Sequence, residues 1–168
     1  MIRNALRAAT LLLATLAIPA AILAAPLPAN ASPGHLCETY DPTSYCLGSA
    51  NLNLYTWVRE RIPGRDLTQS SLGGTFEGHP TYLLKFSADT SKCVAVSNDL
   101  AVVEIRQCNG GTGTVWARVT SSSGVYMWIN RYATNSYGAD LYLSGIGIQD
   151  RQYAVEPIGV WYQRFSWH

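Results

Sequence analysis

Residues 82–119, YLLKFSADTSKCVAVSNDLAVVEIRQCNGGTGTVWARV, decide the fold of this chain. Their β-branched and aromatic residues fall in four short runs separated by Ser, Asn, Asp and Gly, a pattern typical of consecutive β-strands. The predicted strands are 82–86, 93–96, 102–108 and 115–119. Cys93 and Cys108 lie on the second and third of them, where a hairpin would bring the two side chains together.

The segment 1–31 has the features of a secretory signal peptide. Two arginines precede an apolar run at 8–25, and the small-x-small sequence Ala-Asn-Ala at 29–31 follows it, which is the order found in such signals. We expect cleavage after Ala31, so that the rest of the chain, 32–168, forms one secreted, extracellular domain. A membrane anchor is the alternative, but prolines interrupt the run and no cationic cluster follows it.

The predicted mature chain is nearly neutral. It keeps 12 − 2 = 10 basic residues against 11 acidic ones, a net charge of −1 with His neutral. This balance argues against nucleic acid and acidic lipid as partners, and no segment after residue 31 has the length and apolarity of a membrane span. No metal or other cofactor is predicted, because the three His stand apart and the cysteine spacings do not resemble those of a zinc site.

The four cysteines all lie in the predicted exported part, where an even number favours disulfides. Three pairings are possible. Residues 34–48 resemble a hairpin with its turn at 41–44, and Cys37 and Cys46 lie near-symmetrically on its two arms. We therefore expect the disulfides Cys37–Cys46 and Cys93–Cys108.

An internal repeat organises the domain. The segments TSYCLG, TSKCVAV and ADLYLSG align through Cys46, Cys93 and Tyr142, which are almost evenly spaced along the chain. In the second and third copies an aromatic residue, Trp116 or Phe165, follows at the same distance in sequence. In the first copy the matching aromatic would be Phe76. It lies further from Cys46, and the extra residues are placed in a polar loop at 63–74.

The repeat predicts an all-β fold. No stretch has a convincing helical period, and short strand-like runs recur at close spacing along the whole mature chain. One unit alone could not bury its apolar face, whereas three together could. We therefore predict a β-trefoil of three four-stranded units, at about 35–80, 81–123 and 124–168.

The second unit resembles ricin-B-type lectin domains. Its KCVAV at 92–96, VEIRQCNG at 103–110 and VW at 115–116 are similar to the family's CLDV, V-x-L-x-x-C-N-G and Q-x-W motifs. The third unit has YLS at 142–144 and QRF at 163–165 in the corresponding places. This resemblance covers residues 82–167, and more weakly 35–80, and it implies a β-trefoil that binds galactose-type sugars.

The sugar-binding positions of that family are replaced here. In the family, the Asp of CLDV accepts sugar hydroxyls, an aromatic ring packs on the pyranose face, and polar side chains before the Trp complete the pocket. The Asp position holds Ala95 in the second unit and Ser144 in the third, and Gly48 lies there in the first. Thr114 replaces the Gln of Q-x-W. We therefore expect weak or absent binding of simple galactosides.

Aromatic residues remain as candidates for ligand binding. Trp128 lies in an alternating strand and could face either way, whereas Trp116 and Phe165 are expected in the core. The dense cluster at 161–167 should be partly exposed and available for stacking, or it could plug the barrel near the chain end. The ligand-binding candidates are Trp128, Trp161 and Tyr162.

Catalysis has no strong motif in this sequence. The acidic pairs Glu38 with Asp41 and Asp99 with Glu104 have no spacing that would make their carboxylates converge, and Ser, His and Asp occur in no triad context. We therefore expect a binding protein and not an enzyme. Its ligand is a glycan in one interpretation, and an extracellular protein in the other, as for a protease inhibitor or a toxin or adhesion component.

Overall fold

Strands dominate the computed structural model of the protein. It describes residues 32–39, 46–56, 58–61, 65–100, 102–111, 113–120, 125–145, 153–157 and 163–168. The predicted signal peptide at 1–31 lies outside these residues and stays a prediction. Within the described ranges, the chain forms twelve strands and one helix: β1 Leu36–Glu38, β2 Cys46–Gly48, β3 Arg59–Arg61, β4 Leu67–Phe76, β5 His79–Phe86, β6 Asp89–Val96, β7 Val103–Gln107, β8 Trp116–Thr120, β9 Tyr126–Asn130, α1 Arg131–Tyr137, β10 Leu141–Gly145, β11 Tyr153–Pro157 and β12 Phe165–Trp167.

Six of the strands close into a barrel. The antiparallel pairs β4–β5, β5–β8, β8–β9, β9–β12 and β12–β1 form a continuous series. Gly34, just before β1, completes it by pairing with Leu67 on β4, since each backbone N–H donates to the other residue's carbonyl at 3.0 and 2.8 Å. Because the series returns to its first strand, no barrel edge is left unpaired at that point.

Three hairpins complete the architecture. They are β2–β3, β6–β7 and β10–β11, and each joins the barrel through its first strand. Each unit thus contributes two barrel strands and one hairpin, with the same pairing in all three. This is the topology of a β-trefoil, so the predicted fold class of three four-stranded units is confirmed.

The predicted alignment of the three units is confirmed at the hairpins. Cys46, Cys93 and Tyr142 each pair with the preceding barrel strand, opposite Cys37, Lys85 and Ile129 respectively. Two residues further along the three hairpins, the equivalent positions hold Gly48, Ala95 and Ser144.

The closing residue of the first unit was wrongly predicted. Tyr82 pairs with Trp116 and Tyr126 with Phe165, and the matching pair in the first unit is Gly34 with Leu67. Leu67 therefore takes the place that the sequence comparison assigned to Phe76. The polar segment predicted as a loop at 63–74 is instead mostly strand, because β4 extends from Leu67 to Phe76 along β5 with a register shift after Ser71.

The core fills the barrel and the space beneath the hairpins. Trp116 and Phe165 are fully buried, as predicted, and the Trp116 indole N–H donates to the Val94 carbonyl at 2.8 Å. This bond ties the hairpin β6–β7 to the barrel strand β8. The main cluster draws on all three units: Leu36, Leu47, Val58, Leu67, Leu84, Phe86, Val94, Val96, Val103, Ile105, Trp116, Trp128, Ala133, Leu141, Leu143, Val155 and Phe165.

The sequence did not predict the helix α1. Asn130 begins it, since its side-chain oxygen accepts a hydrogen bond from the Ala133 N–H, and Gly138 ends it in the left-handed conformation at φ +80°. So short a helix cannot show a helical period, and only these two capping residues signalled it.

Both predicted disulfides are confirmed. Cys37–Cys46 joins the paired strands β1 and β2, and Cys93–Cys108 joins β6 to the residue that follows β7. No free cysteine is found among the described residues. The loop that the second bond closes is long enough, in the chain-entropy description, to stabilise the fold by about 3 kcal/mol.

Gly113 allows a close backbone approach that no other residue type would. Its φ is +79°, and a Cβ there would lie 2.5 Å from the Val96 carbonyl oxygen. Gly78 has a similar φ of +76°, but a Cβ there would meet nothing within 4 Å. Substituting each glycine by alanine therefore separates two contributions to the loss of stability: the strained backbone conformation, present at both sites, and the steric clash, present at Gly113 alone.

We predict that Gly113→Ala lowers the free energy of unfolding by about 3 kcal/mol or more, since strain and clash add. Gly78→Ala should cost about 1–2 kcal/mol, from the left-handed conformation alone. Denaturant unfolding of both variants measures the difference. Equal losses would show that the strand β6 can move away from residue 113 at no cost.

Candidate functional site

A polar cleft lies where the first and second units meet. Its volume is ≈ 410 Å³. The segment before β3 reaches across to β7, since the Tyr55 N–H donates to the Ile105 carbonyl at 2.8 Å and the Ile105 N–H donates to the Thr56 carbonyl at 2.9 Å. The cleft is lined by Leu54, Tyr55, Asn98, Arg106, Gln107, Asn109 and Thr114.

Tyr55 is held in the cleft by an unusual backbone conformation. Its φ is +63°, in the left-handed region that bulky residues rarely adopt. A local turn imposes it, because the Asn51 side-chain oxygen accepts hydrogen bonds from the Asn53 N–H and the Thr56 hydroxyl, both at 2.9 Å. The ring is 63% exposed. Such strain at an exposed aromatic is characteristic of functional sites.

Arg106 forms the floor beneath that ring. Its guanidinium carbon lies 4.9 Å from the centre of the Tyr55 ring, a cation–π contact. Its Nε donates to Glu104 Oε1 at 2.7 Å, and Nη1 donates to Asn98 Oδ1 at 3.3 Å. Because the buried Glu104 carboxylate neutralises the guanidinium, the cleft presents a fixed, nearly neutral polar surface.

Side-chain amides and hydroxyls line the rest of the cleft. Asn109 Oδ1 accepts from the Gly111 N–H at 2.9 Å, which orients the amide and leaves its NH₂ group as a donor. The Thr114 hydroxyl donates to the Gly111 carbonyl at 3.0 Å, but Thr114 is buried. The exposed amides of Asn98, Gln107 and Asn109 therefore supply the donors and acceptors next to the aromatic face.

The replaced Asp position has an acidic neighbour. Ala95 is fully buried on β6, and its cross-strand partner on β7 is Glu104. The carboxylate of Glu104 therefore lies directly across from the replaced Asp position, on the neighbouring strand β7. Arg106 binds this carboxylate. In the other two units the equivalent residues, Gly48 and Ser144, are also buried and offer no carboxylate.

Of the three predicted stacking residues, the structure describes Trp128. Trp128 is 0% exposed, so its assignment as a ligand-stacking residue is wrong in this conformation: it faces the barrel interior, where Tyr82 and Tyr126 pack on it. Trp161 and Tyr162 lie outside the described residues and stay predictions. Tyr55 was missed, although the Asn-rich turn before it, NLN at 51–53, was the available signal.

A second cavity, of ≈ 510 Å³, lies beside the point of barrel closure. His35 Nε2 lies 2.7 Å from Asp66 Oδ1, and Ser87 lines the same cavity. The buried Ser87 hydroxyl has no hydrogen-bond partner among the described residues. His35 and Ser87 are therefore not hydrogen-bonded to each other as the nucleophile and base of a serine hydrolase would be.

Two of the four carboxylates considered in the sequence have other partners in the structure. Asp99 accepts from the Ser97 hydroxyl, and Glu104 is bound by Arg106, while Asp41 lies outside the described residues. Over the described ranges no three His, Cys, Asp or Glu side chains are grouped as metal ligands would be. Nor does any helix in that part of the chain have the length and apolarity needed to cross a membrane.

Comparison with known proteins identifies the fold. No family model and no curated protein sequence matches the chain. A mosquitocidal holotoxin shares the fold with a TM-score of 0.61 at 11% identity, over 81% of this chain but only 17% of the holotoxin chain. ThreeFoil, a designed threefold-symmetric protein, has a TM-score of 0.63 at 15% identity, over 80% of this chain and 96% of its own. At such identities the likeness establishes the β-trefoil architecture alone.

The strain at Tyr55 gives a testable stability difference. We predict that Tyr55→Gly is more stable than Tyr55→Ala by about 0.5–1 kcal/mol, because glycine tolerates φ +63°. Tyr137 is equally exposed but lies in the helix α1. At this position the Tyr137→Ala variant should be more stable than Tyr137→Gly by up to about 1 kcal/mol. Denaturant unfolding of the four variants measures both orders. The same order at both sites would contradict the strained geometry of Tyr55.

Proposed function

We propose that this chain is a secreted, non-catalytic binding module, and that its ligand is a neutral glycan held in the cleft around Tyr55. Three features of the chain support secretion: the predicted signal peptide at 1–31 and the disulfides Cys37–Cys46 and Cys93–Cys108. Mass spectrometry of the exported protein should then find Ser32 at its N-terminus, and an intact residue 1 would contradict the export signal.

The single observation that carries the ligand class is the exposed Tyr55 ring next to fixed polar side chains. A sugar ring has an apolar face suited to stacking and a rim of hydroxyls that need donors and acceptors. The cleft offers both within ≈ 410 Å³. Since Glu104 already neutralises Arg106, the cleft favours a neutral sugar over an acidic one.

Simple galactosides remain poor candidates. Ala95 provides no carboxylate, and the Glu104 carboxylate opposite it is bound to Arg106 and only 6% of that residue is exposed. Losing one charge-assisted hydrogen bond costs about 1.5–3 kcal/mol, roughly ten- to a hundredfold in affinity. Calorimetry with galactose and lactose should therefore detect weak or no binding, and a sub-millimolar dissociation constant for either would contradict the proposed site.

A glycan array followed by variants tests the cleft itself. Tyr55→Ala should weaken binding of the best array ligand about two- to tenfold through lost stacking. Tyr137→Ala is the matched control, because Tyr137 is 64% exposed and Tyr55 63%. If only the control Tyr137→Ala loses binding, or if both variants bind as the unmodified protein does, the glycan site lies outside the cleft. Loss in Trp161→Ala alone would favour the aromatic cluster predicted from the sequence.

A protein ligand is the second candidate. Leu72 is 43% exposed and Tyr137 64% exposed, both outside the cleft, and exposed large apolar side chains are typical of protein contacts. The mosquitocidal holotoxin has this fold over part of a much longer chain, which is the setting expected of a toxin component. A protease-inhibition panel on the same sample separates the candidates: inhibition without any array signal would exclude the glycan proposal.

A further inference from the structure

A charged side chain lies on the inward-facing side of a barrel strand, where it is only partly buried. Arg118 follows Trp116 by two positions on β8, and alternate residues of a strand share one face, so Arg118 shares the interior face with the buried Trp116. At the equivalent positions of the first and third units stand Gln69 and Trp167, two positions into β4 and β12. One unit thus introduces a cation where the other two carry neutral side chains.

The Arg118 guanidinium has aromatic neighbours and one polar partner. Its carbon lies 4.6 Å from the centre of the Tyr82 ring and 5.0 Å from that of Tyr126. Its Nη1 donates to Gln69 Oε1 at 2.6 Å. No carboxylate of the described residues forms an ion pair with it. This distinguishes it from Arg106, which stacks on a tyrosine in the same way but is paired with Glu104.

Two buried donors in this cluster have no acceptor among the described residues: Arg118 Nε and the Trp128 indole N–H. Arg118 and Trp128 are directly opposite each other on β8 and β9. The Trp128 ring is 0% exposed and lies 5.9 Å from the Tyr82 ring and 6.5 Å from the Tyr126 ring. Buried donors are nearly always hydrogen-bonded, so both point to a missing acceptor. An anionic acceptor would also balance the charge of the partly buried Arg118.

We propose that this end of the barrel binds a small oxyanion, of carboxylate or sulfate chemistry, at a site formed by Tyr82, Arg118, Tyr126 and Trp128. The guanidinium carbon lies over both tyrosine rings, so its N–H edge is the part available to a ligand. Nη1 is already bonded to Gln69, and Nε, which has no partner among the described residues, can donate to one oxygen of the ion. The Trp128 indole supplies a second donor from the opposite strand.

The site is separate from the cleft around Tyr55. Tyr82, Arg118 and Tyr126 are each partly exposed, whereas Arg118 Nε and the Trp128 indole nitrogen are buried, so an ion must pass between the partly exposed side chains to bind them. The hairpin β6–β7, which carries Arg106 and Gln107 of the cleft, meets β5 at the carboxyl end of β5, at Lys85 and Phe86. Arg118 lies beside the amino half of β5. The proposed oxyanion site therefore does not depend on whether the cleft around Tyr55 binds a glycan.

Nuclear magnetic resonance tests the site directly in the purified protein. Sodium acetate and sodium sulfate are titrated at constant ionic strength against chloride, while the Trp128 indole N–H and the Arg118 Nε–H are followed. Trp128→Phe and Arg118→Lys assign the two signals. We expect both to shift saturably with one common dissociation constant. If neither shifts with either salt, a buried water and not an anion satisfies these donors, and the proposal is overturned.

Matched variants and sugars complete the test. Arg118→Lys keeps the charge but loses the Nε donor. The anion dissociation constant measured from the Trp128 signal should therefore rise about tenfold or more in this variant. Arg131→Lys, at an exposed arginine, should leave it unchanged. Glucuronic acid, with uncharged glucose as its control, distinguishes a free ion from the carboxylate of a larger ligand. Tighter binding of glucuronic acid than of acetate indicates that the site recognises the carboxylate of a larger ligand. An equal response in Arg118→Lys and wild type would overturn the assignment.

Discussion

Closure of the six-stranded barrel by backbone hydrogen bonds holds the three units of this protein together. Gly34 and Leu67 exchange two backbone hydrogen bonds and so join the start of the domain to β4. A glycine is needed there because a Cβ on Gly34 would lie 2.5 Å from the Trp167 indole nitrogen. Once the barrel is closed, each hairpin covers one side of a shared core, and no unit has to bury its apolar face alone.

The threefold repeat separates positions that must be kept from positions that can vary. Leu67, Trp116 and Phe165 are equivalent and all fully buried, so large apolar residues are kept there. Two positions along the same strands the units differ, with a cation, Arg118, in only one of them. Residues that differ between the units are not needed to complete the repeat, so they can take other roles.

The two proposed sites differ in electrostatics although each contains an arginine stacked on tyrosine. Arg106 is neutralised by Glu104, so the cleft around Tyr55 offers hydrogen bonds without net charge. Arg118 has no such partner among the described residues, and the tyrosines beside it provide only a partial substitute for a counter-ion. The first arrangement suits a neutral sugar and the second an anion.

The fold class, both disulfides and the alignment of the hairpins could be predicted from the sequence, because strand periodicity and turn residues are local signals that recur along the three units. The sequence did not determine that Leu67 is the equivalent of Trp116, that Trp128 faces inward, or that Tyr55 adopts a left-handed conformation. Those facts depend on which strands pair around the barrel and on how the segment before β3 crosses to β7. Such contacts join residues far apart in the chain, so only the tertiary structure could decide them.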